Sequence, residues 1–239
     1  MNIKYADLCE AGARLNNEDS CRIVDFPEIN RWMGIICDGL GGHAMGEVAS
    51  ETIVSAISKY WNMHTNISDS AEKINDACKF AIKELNKRAD TLHNCQMGTT
   101  MVMASIQNDI ISIAHIGDSR CYLLREGHYD YEDILNINKD NVVYQTNDHI
   151  RNDFGWEVVS HCFFSYDANH TNPDTVQYKL CKGDRLFLCS DGIYKCIAPQ
   201  ILKNLIMGTK TPAEILDVVK SLCEKKSDDN YSAILAFIT

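Results

Sequence analysis

Apolar positions along the chain follow two rhythms, short unbroken or alternating runs and longer stretches at three-and-four spacing. Residues 32 to 37, Trp-Met-Gly-Ile-Ile-Cys, read as a buried strand. After Asp38 and the glycine-rich turn Gly39-Leu40-Gly41-Gly42, the apolar positions Val48, Ala49, Thr52, Ile53, Ala56, Ile57 and Tyr60 predict a helix over about 44–61. A second helix is predicted over about 70–92, with Ile74, Cys78, Ala81, Ile82, Leu85 and Ala89 on one face and Asp69 with Glu72 as its capping box.

Short strands are predicted at 3–9 and 20–25, flanking the polar segment 14–19. Strands at 99–106, 110–116 and 119–125, joined by Asn108-Asp109 and Gly117-Asp118, predict an antiparallel meander. Residues 126–175 are polar and read as irregular, with a weak strand-like stretch at 144–146. Strand 176–181 is expected to pair with 185–190 across Lys182-Gly183-Asp184. Helices at about 199–206 and 212–225 follow, the second opened by Thr211-Pro212-Ala213-Glu214, and 231–238 is the final strand. Strand clusters separated by helix pairs, without regular β-α-β alternation, argue for antiparallel sheets with helices on their outer faces.

The 239 residues contain no linker, repeat or low-complexity run, so a single domain over 1–239 is expected. The formal net charge of -10 disfavours non-specific nucleic-acid binding. No apolar run has the length needed to span a bilayer, and acidic residues near the N-terminus oppose a signal peptide. The chain is therefore expected to be cytoplasmic, with no membrane partner. Its 11 cysteines form no C-x-x-C pair, and several lie inside apolar runs, as buried reduced thiols do.

Five aspartates, Asp19, Asp38, Asp118, Asp191 and Asp229, fall at ends of predicted strands. Asp38 and Asp191 share one context, Ile-Ile-Cys-Asp-Gly-Leu and Leu-Cys-Ser-Asp-Gly-Ile, an Asp-Gly closing an apolar strand. Clustered carboxylates need cations to stay ionised. All-oxygen ligation favours Mg²⁺ or Mn²⁺ over zinc or copper.

These residues belong to an ordered set: R-x-x-x-E-D at 14–19, D-G-x-G-G-H at 38–43, G-T-T at 98–100, G-D-S-R at 117–120, S-D-G-I at 190–193 and D-N at 229–230. The set resembles the motifs of the PPM family, the metal-dependent protein serine/threonine phosphatases of type 2C, in their compact bacterial form. The resemblance implies an α+β fold, a four-layer α-β-β-α sandwich of two antiparallel sheets flanked by helices. It also implies hydrolysis of phosphoserine and phosphothreonine by a metal-activated water at a centre of two Mn²⁺ or Mg²⁺ ions, with a third, weaker ion in some members. On it, Asp38 bridges two metals, the Gly39 carbonyl binds the second, and Asp191 and Asp229 complete the first. Glu18 and Asp19 hold metal-bound waters, Arg14 binds phosphate, and Asp118 is a ligand of the third ion, with Ser160 as a counterpart of the family's flap ligand. The G-T-T stretch and His149 are expected to support structure. The implied partners are phosphorylated serine and threonine proteins, targets of a cognate kinase, and the chain is expected to be a monomer.

The sequence departs from the family pattern in two places. Leu40 stands where some members carry a histidine after the Asp-Gly, and His43 reads as a helix cap or a partner of Glu47. The segment after His149 has little likeness to the family's flap. Two other functions stay open, a pseudophosphatase that binds without turnover and a phosphatase of small phosphoesters. The complete set of core ligand residues speaks for turnover, and the absence of a C-x5-R loop speaks against a thiol nucleophile.

Overall fold

The computed structural model describes residues 2–40, 45–127, 141–167 and 171–239. Its elements run β1 (Ile3–Glu10), β2 (Asp19–Phe26), β3 (Arg31–Asp38), α1 (Gly46–Met63), α2 (Ala71–Thr91), β4 (Gly98–Thr99), β5 (Met101–Gln107), β6 (Ile110–Ile116) and β7 (Arg120–Leu124). They continue β8 (Val142–Gln145), β9 (Ile150–Asp153), β10 (Trp156–Val159), β11 (Phe163–Phe164), β12 (Asp174–Lys179), β13 (Arg185–Cys189), α3 (Asp191–Tyr194), α4 (Pro199–Ile206), α5 (Pro212–Lys226) and β14 (Tyr231–Ile238).

Two five-stranded antiparallel sheets form, one in the order β12-β6-β5-β3-β2 and the other β1-β14-β13-β7-β8. Side-chain alternation divides each interior strand between two cores. On β3, Met33, Ile35 and Cys37 pack against α1 and α2, while Trp32 and Ile36 point to the opposite sheet. On β13, Phe187 and Cys189 face α4 and α5, while Leu186 and Leu188 meet the first sheet. Helix, sheet, sheet and helix thus stack in four layers, as the family resemblance implies. Strands buried on both faces lose the period-2 signal and read as continuous apolar runs.

Local pairing differs from the sequence expectation at three places. The expected meander holds only for β5 and β6; β7 crosses to the second sheet, beside β13. The crossing turn is Gly117-Asp118-Ser119, where Gly117 has φ 103° and a Cβ would come within 2.6 Å of the Thr100 side chain. The expected hairpin of 176–181 with 185–190 does not form either, because β12 pairs with β6 and β13 with β14 and β7. Short turns cannot report that a chain is changing sheets, since the same residues serve a hairpin or a crossing. Third, the stretch read as irregular contains β8, the β9–β10 hairpin and β11 among its described residues.

Helix α1 begins at Gly46, and His43 lies outside the described residues. The cap of α2 is Ser70, whose hydroxyl accepts from the Lys73 amide. Asp69 instead enters a buried ion cluster, with Lys73 Nζ at 2.9 Å and Arg31 Nε at 3.5 Å. Thr211 and Glu214 form the expected capping box on α5, with Pro212 in the first turn. All eleven cysteines are free, with Cys37, Cys78, Cys121, Cys189 and Cys223 buried. No helix among the described residues is long and apolar enough to cross a membrane.

Candidate active site

The carboxylates meet at one end of the two sheets. Asp19, first in β2, pairs in register with Asp38, last in β3. Asp118 sits on the sheet-crossing turn, Asp191 opens α3 directly after β13, and Asp229 precedes β14. Asp38, Gly39, Asp118, Asp191 and Asp229 all line one cleft of about 470 Å³. A second groove, between α1 and α2 on the outer helix layer, carries none of them.

Backbone clamps hold the floor of this cleft. Thr100 Oγ1 accepts from the Asp38 amide at 3.1 Å, while Thr99 Oγ1 and the Thr100 amide both donate to the Asp38 carbonyl. The Leu40 amide donates to Gly98 O. The G-T-T stretch is therefore a brace for Asp38 to Leu40, as expected. Gly39 must be glycine, since a Cβ there would lie 2.5 Å from the Gly46 backbone. The same holds for Gly192, where a Cβ would fall 2.0 Å from Asn230 O. Asn230 is the clasp of the 11–18 loop. Its Oδ1 accepts from the Glu18 amide, and its Nδ2 donates to Ala11 O and Asn16 O. The D-N motif signalled this residue, but only the fold shows that its amide spans the first and last motifs.

Charge is concentrated here. The Asp38 carboxyl is held well above the ordinary carboxylate range, first by desolvation and then by Asp19, Asp191 and Asp118. Burial pushes Asp19 up to about 7, and burial with the Asp191 charge pushes Asp118 up to about 6. Glu18 is raised by burial and by Glu47. Asp19 Oδ2 accepts from Ser190 Oγ at 2.7 Å, while its buried Oδ1 has no partner. Two cations stand against the outer carboxylates. Lys195 Nζ is 2.5 Å from Asp191 Oδ2, and an Arg14 guanidinium nitrogen is 3.1 Å from Asp229 Oδ2. Arg14 Nε also donates to Asp228 O, so of this aspartate pair it is Asp229 that turns its carboxylate to the cleft. Excess buried carboxylate, oxygen-only donors and an unpartnered Asp19 oxygen fit hard divalent cations.

One wall of the cleft consists of residues that sequence reasoning left without a role. Arg120 makes a two-pronged contact with Asp148 (2.9 and 2.7 Å) and lies 3.5 Å over the Tyr194 ring. Tyr194 OH donates to Asp118 O at 3.1 Å. The G-D-S-R and N-D-H segments were the available signals for this buttress. Further along, Ile150, Glu157, Val158 and Val159 of the β9–β10 hairpin line the cleft. Ser160 follows the hairpin, with its amide on His149 O and its hydroxyl on His161, and is not among the cleft-lining residues.

His115, His149 and Asp174 offer ligand atoms within 4.8 Å of one another. Their hydrogen bonds make them a clasp. His149 Nδ1 accepts from the Gly117 amide at 3.2 Å and its Nε2 faces Asp174 Oδ2, while His115 Nε2 meets Asn147 O. The two imidazoles stack at 22°, so their in-plane lone pairs do not converge on one ion. His149 thus ties its loop to the Asp118 turn, the structural role expected of it.

The profile of the family described as protein phosphatase 2C matches residues 11–236. The serine/threonine phosphatase stp of Listeria monocytogenes is 27% identical over 247 residues, covering 93% of this chain and 90% of that protein. The serine/threonine protein phosphatase PstP of Mycobacterium tuberculosis is 24% identical, covering 98% of this chain and 45% of that protein. Among solved structures, the Streptococcus agalactiae serine/threonine phosphatase superposes with a TM-score of 0.81 at 22% identity, covering 100% of both chains. The PstP catalytic domain in complex with two manganese ions superposes with a TM-score of 0.77 at 23% identity, covering 98% of this chain and 97% of that one.

Proposed function

The chain belongs to the protein phosphatase 2C family, and from that membership we propose that residues 1–239 form one catalytic domain that hydrolyses phosphoserine and phosphothreonine on proteins. The observation that supports this most directly is Asp38, fixed at the end of β3 among Asp19, Asp118 and Asp191 beneath an open cleft. Mn²⁺ or Mg²⁺ ions, when bound, supply activation of water and neutralise charge at phosphorus.

On this reading Asp38 and the Gly39 carbonyl, with Asp191 and Asp229, would hold the two ions. Glu18 and Asp19 would orient waters of the centre, Asp19 through its unpartnered Oδ1. Asp118 would serve a third, weaker ion; Ser160, with its hydroxyl on His161 and outside the cleft lining, is not positioned here for the flap role expected of it. Arg14 sits at the edge, its side chain about half exposed. A guanidinium there can leave Asp229 and grip two phosphate oxygens in its planar fork. Leu40 places an apolar group on the cleft wall where a proton donor would otherwise stand. Asp38, Asp118, Asp191 and Asp229 all line the cleft, which supports turnover over a binding module without it. The substrates would be phosphoproteins made by a cognate kinase.

The direct test is phosphate release from a phosphothreonine peptide, with and without Mn²⁺. Turnover with Mn²⁺ that stops on adding chelator is expected. Full turnover after dialysis into excess chelator would overturn the reading.

A further inference from the structure

Lys195 is a charged cleft residue that neither the motifs nor the proposed mechanism absorbs. It follows α3, one helical turn after Asp191, and lines the same cleft as Asp38, Asp118 and Asp229. Its Nζ lies 2.5 Å from Asp191 Oδ2. The nearby guanidinium of Arg120 is committed to Asp148 in a two-pronged bond. Arg14 is on Asp229. Among the described residues, Lys195 is therefore the side-chain cation paired with Asp191.

We propose that Lys195 is a built-in competitor for divalent metal at Asp191: its ammonium balances the carboxylates of the metal-free protein and must leave before an ion can load. The inference rests on the metal-centre reading above.

The geometry decides which partner moves. Asp191 is fixed: it opens α3, its carbonyl accepts from the Lys195 amide at 3.0 Å, and Gly192 is wedged under Asn230 O. The Lys195 side chain is 57% exposed, so it can swing its ammonium into solvent. A divalent ion on Asp191 and an ammonium on the same carboxylate repel each other. Loading is thus an exchange of cations, and metal affinity is lowered by whatever the lysine contact contributes. Among the described residues, no three cleft carboxylates bring ligand atoms within 4.8 Å of one another.

The test is Mn²⁺ titration calorimetry on the chelator-stripped full chain, paired with thermal unfolding of the stripped protein. Lys195→Met should bind Mn²⁺ roughly three- to tenfold more tightly, the scale of an ion pair that is partly exposed but faces several carboxylates. Its metal-free melting temperature should fall, and the rise produced by Mn²⁺ should exceed that of wild type. Lys195→Arg, which keeps the charge, should stay near wild type. Lys79→Met removes an equal charge from the outer helix α2, where Lys79 pairs with Asp76, and should leave affinity unchanged. Unchanged or weaker Mn²⁺ binding by Lys195→Met would overturn the proposal, as would an equal effect from Lys79→Met. If the methionine variant fails to fold, Lys195→Gln is read by the same criteria. A wild-type chain that takes up no Mn²⁺ removes the metal-centre reading as well; a wild type that loads while Lys195→Met matches it removes this inference alone.

Discussion

The floor and the hairpin wall of the cleft are built on opposite principles. The floor consists of strand ends, with Asp38 braced by Thr99 and Thr100, Asp19 hydrogen-bonded to Ser190, and Asn230 joining the first and last motifs. Each of these contacts is buried or half-buried, and Gly39 and Gly192 sit where backbones touch. The wall is the β9–β10 hairpin, four paired residues per strand, almost all of them exposed. Trp156 is 77% exposed, and Phe154 at the tip is fully so. Fold energetics dictate the floor residue by residue, whereas the wall is nearly free of them. The floor is thus where chemistry is fixed, and the wall is where contact with a substrate can vary without cost to the fold.

The largest effect that could break this contrast is at Asp38. Asp38→Asn keeps the shape of the side chain and removes the charge shared by the proposed centre. Activity should fall by at least about a hundred- to a thousandfold, the range for losing one preorganised electrostatic group. The metal-free protein should melt at a higher temperature than wild type, because repulsion from Asp19, Asp191 and Asp118 is relieved. Lost activity with raised metal-free stability marks a residue kept for chemistry at the expense of the fold. Near-wild-type turnover with intact Mn²⁺ binding by calorimetry would remove Asp38 from the centre.

How much was legible in advance follows the same division. Asp38 and Asp191 stand out because one context, an Asp-Gly closing an apolar run, recurs at both positions. The buried strands, long helices and the Thr211 capping box were also legible, since apolar runs, three-and-four spacing and cap residues report local physics. Sheet membership was not: Gly117-Asp118-Ser119 looks like a hairpin turn and is a crossing between sheets, a decision made by Thr100 and by partners far along the chain. Asp69 looked like a cap and became the centre of a buried ion cluster, because Arg31 is far from it in sequence. The hairpin escaped because β9 and β10 bury almost nothing and so carry no alternation. Lys195 escaped because an i,i+4 pair on a four-residue helix gives no sequence signal.

A second prediction sharpens the contrast through pH. Asp118 and Asp19 have folded-state pKa values of about 6 and about 7, against about 3.9 for an unfolded aspartate. Between about pH 4 and 7 the folded state therefore binds more protons than the unfolded state. The stability these groups contribute is fully present below the unfolded value and is lost as pH rises through the folded ones. In chelator, the melting temperature should fall from pH 5 to pH 7.5. Mn²⁺ should remove most of that slope, and Asp118→Asn should make it shallower. A chelated protein that gains stability across this window, with Asp118→Asn tracking it, would mean that Lys195 and the Asp118 backbone amide already balance its charge.

The smallest effect lies in the wall, at its tip. Asp153 pairs with Trp156, which leaves Phe154 and Gly155 as a two-residue turn with φ 52° and 92°. Positive φ at both central residues suits Asn-Gly, and a bulky side chain in the first position is disfavoured. Phe154 buries nothing that would repay this. Phe154→Asn should leave global stability unchanged or raise it by about 0.5 kcal/mol, as at other exposed sites relieved of strain. Asn152 Oδ1, which accepts from the Gly155 amide at 2.9 Å, should hold the turn in the variant as in the parent. The kinetic expectation runs the other way. Ile150, Glu157, Val158 and Val159 of this hairpin line the cleft, so a peptide entering it passes the tip. The KM for a phosphothreonine peptide should rise a few-fold, with kcat nearly constant and Mn²⁺ affinity unchanged, the signature of lost binding that is uniform between ground and transition states. Turnover of a small aryl phosphate, which cannot reach the tip, should not change. Equal losses on both substrates would place Phe154 in the support of the floor and erase the distinction between the two regions. A drop in stability of more than about 1 kcal/mol would do the same, because it would show burial at the tip that its exposure denies.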